Sequence, residues 1–270
     1  MGVYRAVEGR LPSTREKAEL FLREAKMGKA MIIASGKGGT GKTTATAALS
    51  SALAARGRSV LCIDADAGLK NLDLCLGLAD RAVFDFGDVI HRCCSLRQAV
   101  VPHPDIPRLY FLTAPVEPIN EADGAGFSDL IRFLKSAFDY CLIDSPAGFG
   151  TGFSSAAAAA DGAVIVSAAD PSSCRDSGRI VMELGAMGVS DVRLIVNRVR
   201  RGVLFKTKTT IDDAVDAIGA RLIGLVPEDG RVILAGASQR PLALCRPGPA
   251  MSAFERIARR LDGERVPLEF

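Results

Sequence analysis

The chain has 270 residues, and 34 Lys and Arg against 31 Asp and Glu leave a formal net charge of +3 at pH 7. That balance excludes a general polyanion binder, and the length sets one α/β domain as the expectation, near the size at which chains begin to split. The seven cysteines (Cys62, Cys75, Cys93, Cys94, Cys141, Cys174 and Cys245) are an odd set without CxxC spacing, mostly within apolar runs, so a disulfide scaffold is excluded and free thiols in a reducing cytosol are expected.

In chain order, the N-terminus lacks the charged-then-apolar order of a secretory signal, so a cytoplasmic location is expected. Residues 13–27, STREKAELFLREAKM, predict an amphipathic helix: Ser13 caps it, Glu16 closes a capping box, and Ala18, Phe21, Leu22 and Ala25 form one stripe. Its polar face mixes both signs of charge, which favours packing on its own domain or on a partner over lying on a membrane. The expected organisation is an N-terminal extension over 1–29 and an ATPase domain over 30–270.

The stretch from Met31 to Gly57 is an apolar strand that breaks at glycines and re-enters as a helix over Lys42–Ala55. The break is a complete GxxxxGKT phosphate loop, Gly36, Lys37, Gly38, Gly39, Thr40, Gly41, Lys42 and Thr43, followed by Thr44. Its glycines let backbone N–H groups turn inward and form a nest for phosphate oxygens at a helix N-terminus. Lys42 is expected on the β and γ phosphates of ATP, and the Thr43 hydroxyl on a Mg2+ ion that keeps several waters.

Apolar runs then recur as expected strands at RSVLCID, RLYFLT, FDYCLID, GAVIVSA, VRLIVN and RLIGLV. Helical patterns separate them at FSDLIRFLKSAF, SSCRDSGRIVMELGAM and TIDDAVDAIG. This alternation predicts a three-layer α/β/α P-loop NTPase fold: a doubly wound, mainly parallel sheet of about seven to eight strands, with ligand loops at the carboxyl ends of the strands. The alanine tract 156–160 suits a helix packed closely on that sheet. The longest uncharged run, Ser145–Ala160, is 16 residues, short of the ~20 needed to cross a bilayer.

Two strands end in carboxylates. RSVLCID ends in Asp64, FDYCLID in Asp144, and a carboxylate left at the end of an apolar strand is costly unless a charge holds it. Magnesium on a nucleotide is the natural partner, with Thr43, Asp64 and Asp144 as the expected metal residues and Asp144 in the Walker B role.

The second lysine of GKGGTGKT, Lys37, resembles the deviant Walker A motif of the MinD/ParA ATPases. DADAGLKNLDLCLGL, FDYCLIDSPAG, PSSCRDSGRI and VPED narrow the likeness to the MinD branch, the bacterial division-site regulators, over most of the chain from residue 30 to about 268. The resemblance implies catalytic roles for Lys37, Lys42 and Asp66. In the family the lysine matching Lys37 crosses to the other subunit's phosphates in an ATP-loaded homodimer, and the acid matching Asp66 helps place the attacking water. It also implies nucleotide contacts from Asn71, and an adenine site flanked by Asn197 and by Pro227, Glu228 and Asp229.

By the same resemblance the cofactors are ATP and Mg2+, and the partners a second copy and a regulatory protein of division-site type. A membrane surface is a weaker expectation, because no basic amphipathic helix follows DGERVPLEF in this sequence, and Gly150 stands where branch members commonly carry an acid. The basic run Arg198, Arg200, Arg201, Lys206 and Lys208 would suit anionic lipid or DNA, with a solvated connection as the plainer reading. A location at the inner face of the cell membrane is therefore secondary. Two alternatives stand beside the division-site reading, a ParA-like DNA-associated partition ATPase and a flagellar-number regulator of the FlhG type. An iron–sulfur carrier is disfavoured, because no cysteine lies in SPAGFGTGF.

Overall fold

The computed structural model describes residues 27–67, 70–117, 120–200, 202 and 210–269. The expected helix over 13–27 therefore lies outside the described residues except for Met27, as do Arg201, Lys206 and Lys208 of the basic run.

In chain order the elements are β1 (Lys29–Ala34), α1 (Lys42–Ala55), β2 (Val60–Asp64), α2 (Leu72–Leu76), α3 (Phe86–Ile90), α4 (Leu96–Ala99), β3 (Val101–Pro102), β4 (Leu109–Leu112) and α5 (Glu121–Leu134). There follow β5 (Tyr140–Asp144), α6 (Thr151–Ala159), β6 (Gly162–Ser167), α7 (Pro171–Ala186), β7 (Val192–Val199), α8 (Ile211–Ile218) and β8 (Arg221–Pro227). The last are α9 (Gly230–Ala237), a 3-10 turn (Leu242–Leu244) and α10 (Pro249–Leu261).

The strands form one sheet in the order β3-β4-β2-β5-β1-β6-β7-β8, parallel except for the short β3 on the β4 edge. β1 lies at the centre, paired with β5 on one side and β6 on the other. The chain winds outward from β1 in both directions, which opens a crevice above the carboxyl end of β1, where the phosphate loop emerges.

The period of two along each strand sorts side chains into two cores. Ala30, Ile32 and Ala34 of β1, Leu61 and Ile63 of β2, and Cys141 and Ile143 of β5 face the layer that holds α5, α6 and α7. Met31, Ile33, Val60, Cys62 and Leu142 face the layer of α1 and α10. Strands buried on both faces read as continuous apolar runs, as the sequence does.

One expectation is corrected. The helix expected at FSDLIRFLKSAF starts six residues earlier, because Asn120 accepts from the Asp123 N–H as N-cap and the glycines of its first turns are contact points. A Cβ on Gly124 would lie 2.5 Å from Ser155 Oγ, so α5 lies against α6 at a distance only glycine allows. The antiparallel β3, the short helices α2 to α4, and α9 and α10 add to the alternation expected from sequence.

A buried histidine ties the β3–β4 turn to α2. His103 Nε2 donates to the Leu76 carbonyl at 2.9 Å, and Nδ1 accepts from the Asp105 and Ile106 N–H groups at 3.1 Å each. A proton on Nδ1 would remove both acceptor contacts, and burial lowers the imidazole pKa from its ordinary 6.5, against the bond to Leu76. The unfolded chain binds this proton more readily, so the histidine's contribution is full above pH 6.5 and shrinks as pH falls through that value. Urea unfolding at about pH 7.5 and about pH 5.5 should show wild type losing more stability than His103→Gln. Equal losses would mean that the ring is protonated in place.

Candidate nucleotide-binding site

β1 delivers the chain to the crevice, and the loop from Ser35 to Gly41 turns it into α1. Ser35 Oγ donates to the Lys37 carbonyl at 3.1 Å, which stiffens the entry. Gly41, directly ahead of the helix, has φ +94, and a Cβ there would lie 2.4 Å from Asn197 Nδ2. Both the left-handed backbone and the close approach require glycine.

No side chain caps α1, so the N–H groups of its first turn remain available at the positive end of the helix dipole. Thr40 Oγ1 is buried without a hydrogen-bond partner among the described residues. Uncapped amides and an orphaned hydroxyl at one concave turn fit the oxygens of a polyphosphate.

Below the loop lies a buried charge cluster. Lys42 Nζ donates to Asp144 Oδ1 at 3.0 Å, with both residues buried. Thr46 Oγ1 sits 3.0 Å from the Lys42 carbonyl and 3.2 Å from Asp144 Oδ1, and the Thr43 hydroxyl also reaches Asp144. Burial raises the Asp144 carboxyl above its ordinary range, while Lys42 and the two hydroxyls pull it down.

Asp64 stands opposite Asp144 in the β2–β5 register. It accepts from the Asp66 N–H at 2.9 Å and the Leu72 N–H at 3.2 Å. Burial first, then the charge of Asp144, pushes its pKa up to about 7. Lys42 pairs with Asp144, while the neighbouring Asp64 is met by backbone N–H groups, so the cluster has room for a further positive charge. Hard oxygens from Asp64, Asp144 and Thr43 suit Mg2+, and among the described residues no group of three or more His, Cys, Asp or Glu forms a cage on its own. Such a set fits an ion that takes its other ligands from phosphate and water.

The remaining expected residues surround this centre. Lys37 is exposed on the loop, and its charge is felt at Asp170, the N-cap of α7, whose carboxyl is lowered first by its bonds from Ser173. Asp66 and Asn71 bracket the loop between β2 and α2, with Asn71 exposed at the N-cap of α2. Asn197 Nδ2 donates to the Thr40 carbonyl at 2.8 Å, so its amide holds the phosphate loop from the end of β7.

Asp229 is buried and accepts from the N–H groups of Arg231 and Ala250, at 3.0 and 3.2 Å. Its carboxylate is thus committed to the first turns of α9 and α10. Glu228 pairs with Arg200 across the ends of β7 and β8. Sequence reasoning missed Thr46, although its place four residues after Lys42 puts it on the same helix face, and Ser173, whose signal is the PSSC start of α7.

A family model described as the CobQ/CobB/MinD/ParA nucleotide binding domain matches residues 31–242. The chain is 40% identical over 247 residues to the septum site-determining protein MinD of Synechocystis, covering 89% of this chain and 92% of that protein. It superposes on the MinC:MinD cell division protein complex of Aquifex aeolicus with TM-score 0.83 and 36% identity, over 90% of this chain and 98% of that one. For the septum site-determining protein MinD of Pyrococcus horikoshii complexed with Mg-ADP, the TM-score is 0.76 at 30% identity, over 88% and 97%.

Asp144→Ala would leave the Lys42 ammonium buried with no countercharge. We expect a loss of about 3–5 kcal/mol of stability, the cost of breaking a buried pair from one side. Urea midpoints at unchanged slope measure it, and a loss under about 1 kcal/mol would mean that water reaches Lys42.

Proposed function

This chain belongs to the CobQ/CobB/MinD/ParA nucleotide-binding family, and we propose that it is a MinD-like ATPase switch acting in division-site placement. The observation that carries the reading is the buried Lys42 ammonium at the uncapped start of α1, paired with Asp144 at the end of β5. Identities of 36–40% to MinD proteins favour division-site placement over a partition role.

In this reading, residues 30–270 are the ATPase domain and 1–29 an extension. The loop amides from Gly36 to Thr44 and the Lys42 ammonium bind the phosphates of ATP. Thr43 and Asp144 hold Mg2+, with Asp64 behind them, and the bound ion spreads the negative charge of the β and γ phosphates. The Lys42 ammonium, paired with Asp144, would turn to phosphate when nucleotide binds, and Asp144 would then be the carboxylate that holds the ion.

Asp66 orients the attacking water, and Asn71 supports the same loop. Asn197 steadies the phosphate loop beneath the nucleotide, while the backbone from Pro227 to Asp229 borders the adenine. Lys37, exposed on the loop, reaches the γ-phosphate of a second copy and so ties hydrolysis to a two-fold dimer. Hydrolysis to ADP and phosphate then resets the dimer and releases its regulatory partner.

One relative is described in complex with MinC, and a division-site regulator of that kind is the partner proposed here. No helix among the described residues is long and apolar enough to cross a membrane. A peripheral place at the inner membrane face remains part of the proposal.

Lys42→Ala should abolish nucleotide binding measured by calorimetry. Lys37→Ala should bind MgATP as wild type does, yet remain a monomer on light scattering and lose turnover by ~10³-fold, as for loss of a finger residue. Wild-type turnover in the Lys37 variant would sink the dimer mechanism.

A further inference from the structure

Beyond Leu261 the chain turns at Asp262 and returns along α10. The Glu264 N–H donates to the Arg259 carbonyl, Val266 and Pro267 lie at Arg260, and Glu269 reaches the first turns of α10 beside Pro249, Ser252 and Arg256. This return is exposed over most of its length, and it lacks the ladder hydrogen bonds of a strand. Charged groups hold it in place.

At its start, Asp262 accepts from Arg58 Nε and Nη2 at 2.9 and 3.0 Å and from Arg56 Nη2 at 3.2 Å, and Glu264 pairs with Arg56 and Arg259. Arg56 and Arg58 follow directly on α1, so the phosphate-loop helix is clasped at its far end. In the middle, Arg260 forks three ways. Nη1 donates to the Ile223 carbonyl of the edge strand β8 at 2.9 Å, Nε to the Val266 carbonyl at 3.0 Å, and Nη2 to the Pro267 carbonyl. A planar guanidinium with five donors can bridge a strand edge and a parallel segment in this way, and an ammonium cannot.

At its end, Glu269 lines an open groove of about 610 Å3 with Arg200, Pro227, Glu228, Ser252 and Arg256. Pro227 and Glu228 belong to the loop read above as bordering the base. The groove's charges are balanced, two guanidinium groups against two carboxylates, and its floor is partly apolar. Such a lining accepts a flat, neutral, hydrogen-bonding ring better than it accepts a further phosphate.

We propose that residues 262–269 form a strap that walls the outer side of the base groove, with Arg260 as its positioning residue and Glu269 as its contact to the base side. The strap joins both ends of the nucleotide site, from the clasp on α1 to the loops after β7 and β8. Nucleotide and strap therefore stabilise each other, and the coupling runs through the base and not through the phosphates. The inference rests on the reading of the β7 and β8 ends as the base side.

Trypsin cleavage after the exposed Arg265, followed as release of the peptide that begins at Val266, reads the strap directly. With the full chain, saturating MgADP should slow this cleavage about tenfold, while Mg-tripolyphosphate, which has no base, should leave it unchanged. Arg260→Ala should remove the protection and weaken MgADP binding about tenfold by calorimetry, with tripolyphosphate binding kept. Should that variant fail to fold, Glu269→Ala on the exposed tail should weaken MgADP about threefold with tripolyphosphate binding again unchanged.

Bound MgADP without protection of Arg265, or equal protection by tripolyphosphate, would overturn the strap and leave the ATPase reading intact. Failure of MgADP to bind while tripolyphosphate binds would overturn the base-side reading, and the strap with it.

Discussion

The structure depends on one buried ion pair, Lys42 with Asp144, 3.0 Å apart at the centre of the sheet. Each group alone would be expensive to bury, and together they fix the start of α1 against the end of β5. Everything at the site is measured from that pair. Thr43 and Thr46 reach Asp144 from the same helix, and Asp64 stands beside it on the next strand, raised toward neutrality by burial and by its neighbour.

That pair would drift without rigid support, and two contacts supply it. Asn197 holds the Thr40 carbonyl from β7, while α10 lies along α1 in one apolar layer of Ala48, Leu49, Leu53, Phe254, Ile257 and Leu261. The far end of α1 is clasped by Asp262 through Arg56 and Arg58. The phosphate-loop helix is therefore held at both ends and along its length.

The roles of Asp229 and Glu228 show how neighbouring residues divide tasks. Asp229 turns inward to satisfy the first turns of α9 and α10, a capping duty that removes its carboxylate from solvent chemistry. Glu228 turns outward to Arg200 and keeps its loop in register with β7.

By itself the sequence determined the elements whose signals are local: the phosphate loop, α1 with the bounds expected, the apolar strands and the acids at their ends. Glycine spacing, helix period and uninterrupted β-branched runs are all decided within about ten residues of chain. It missed the first turns of α5, where glycine serves close packing on α6, a fact held by a partner about thirty residues away in Ser155. Only the tertiary structure decided that Lys42 rests on Asp144, that Asn197 grips Thr40, that Asp229 caps two helices and that the final residues return to the groove. These contacts join residues brought together by crossovers of a parallel sheet, and no periodicity along the chain records which strand end will face which.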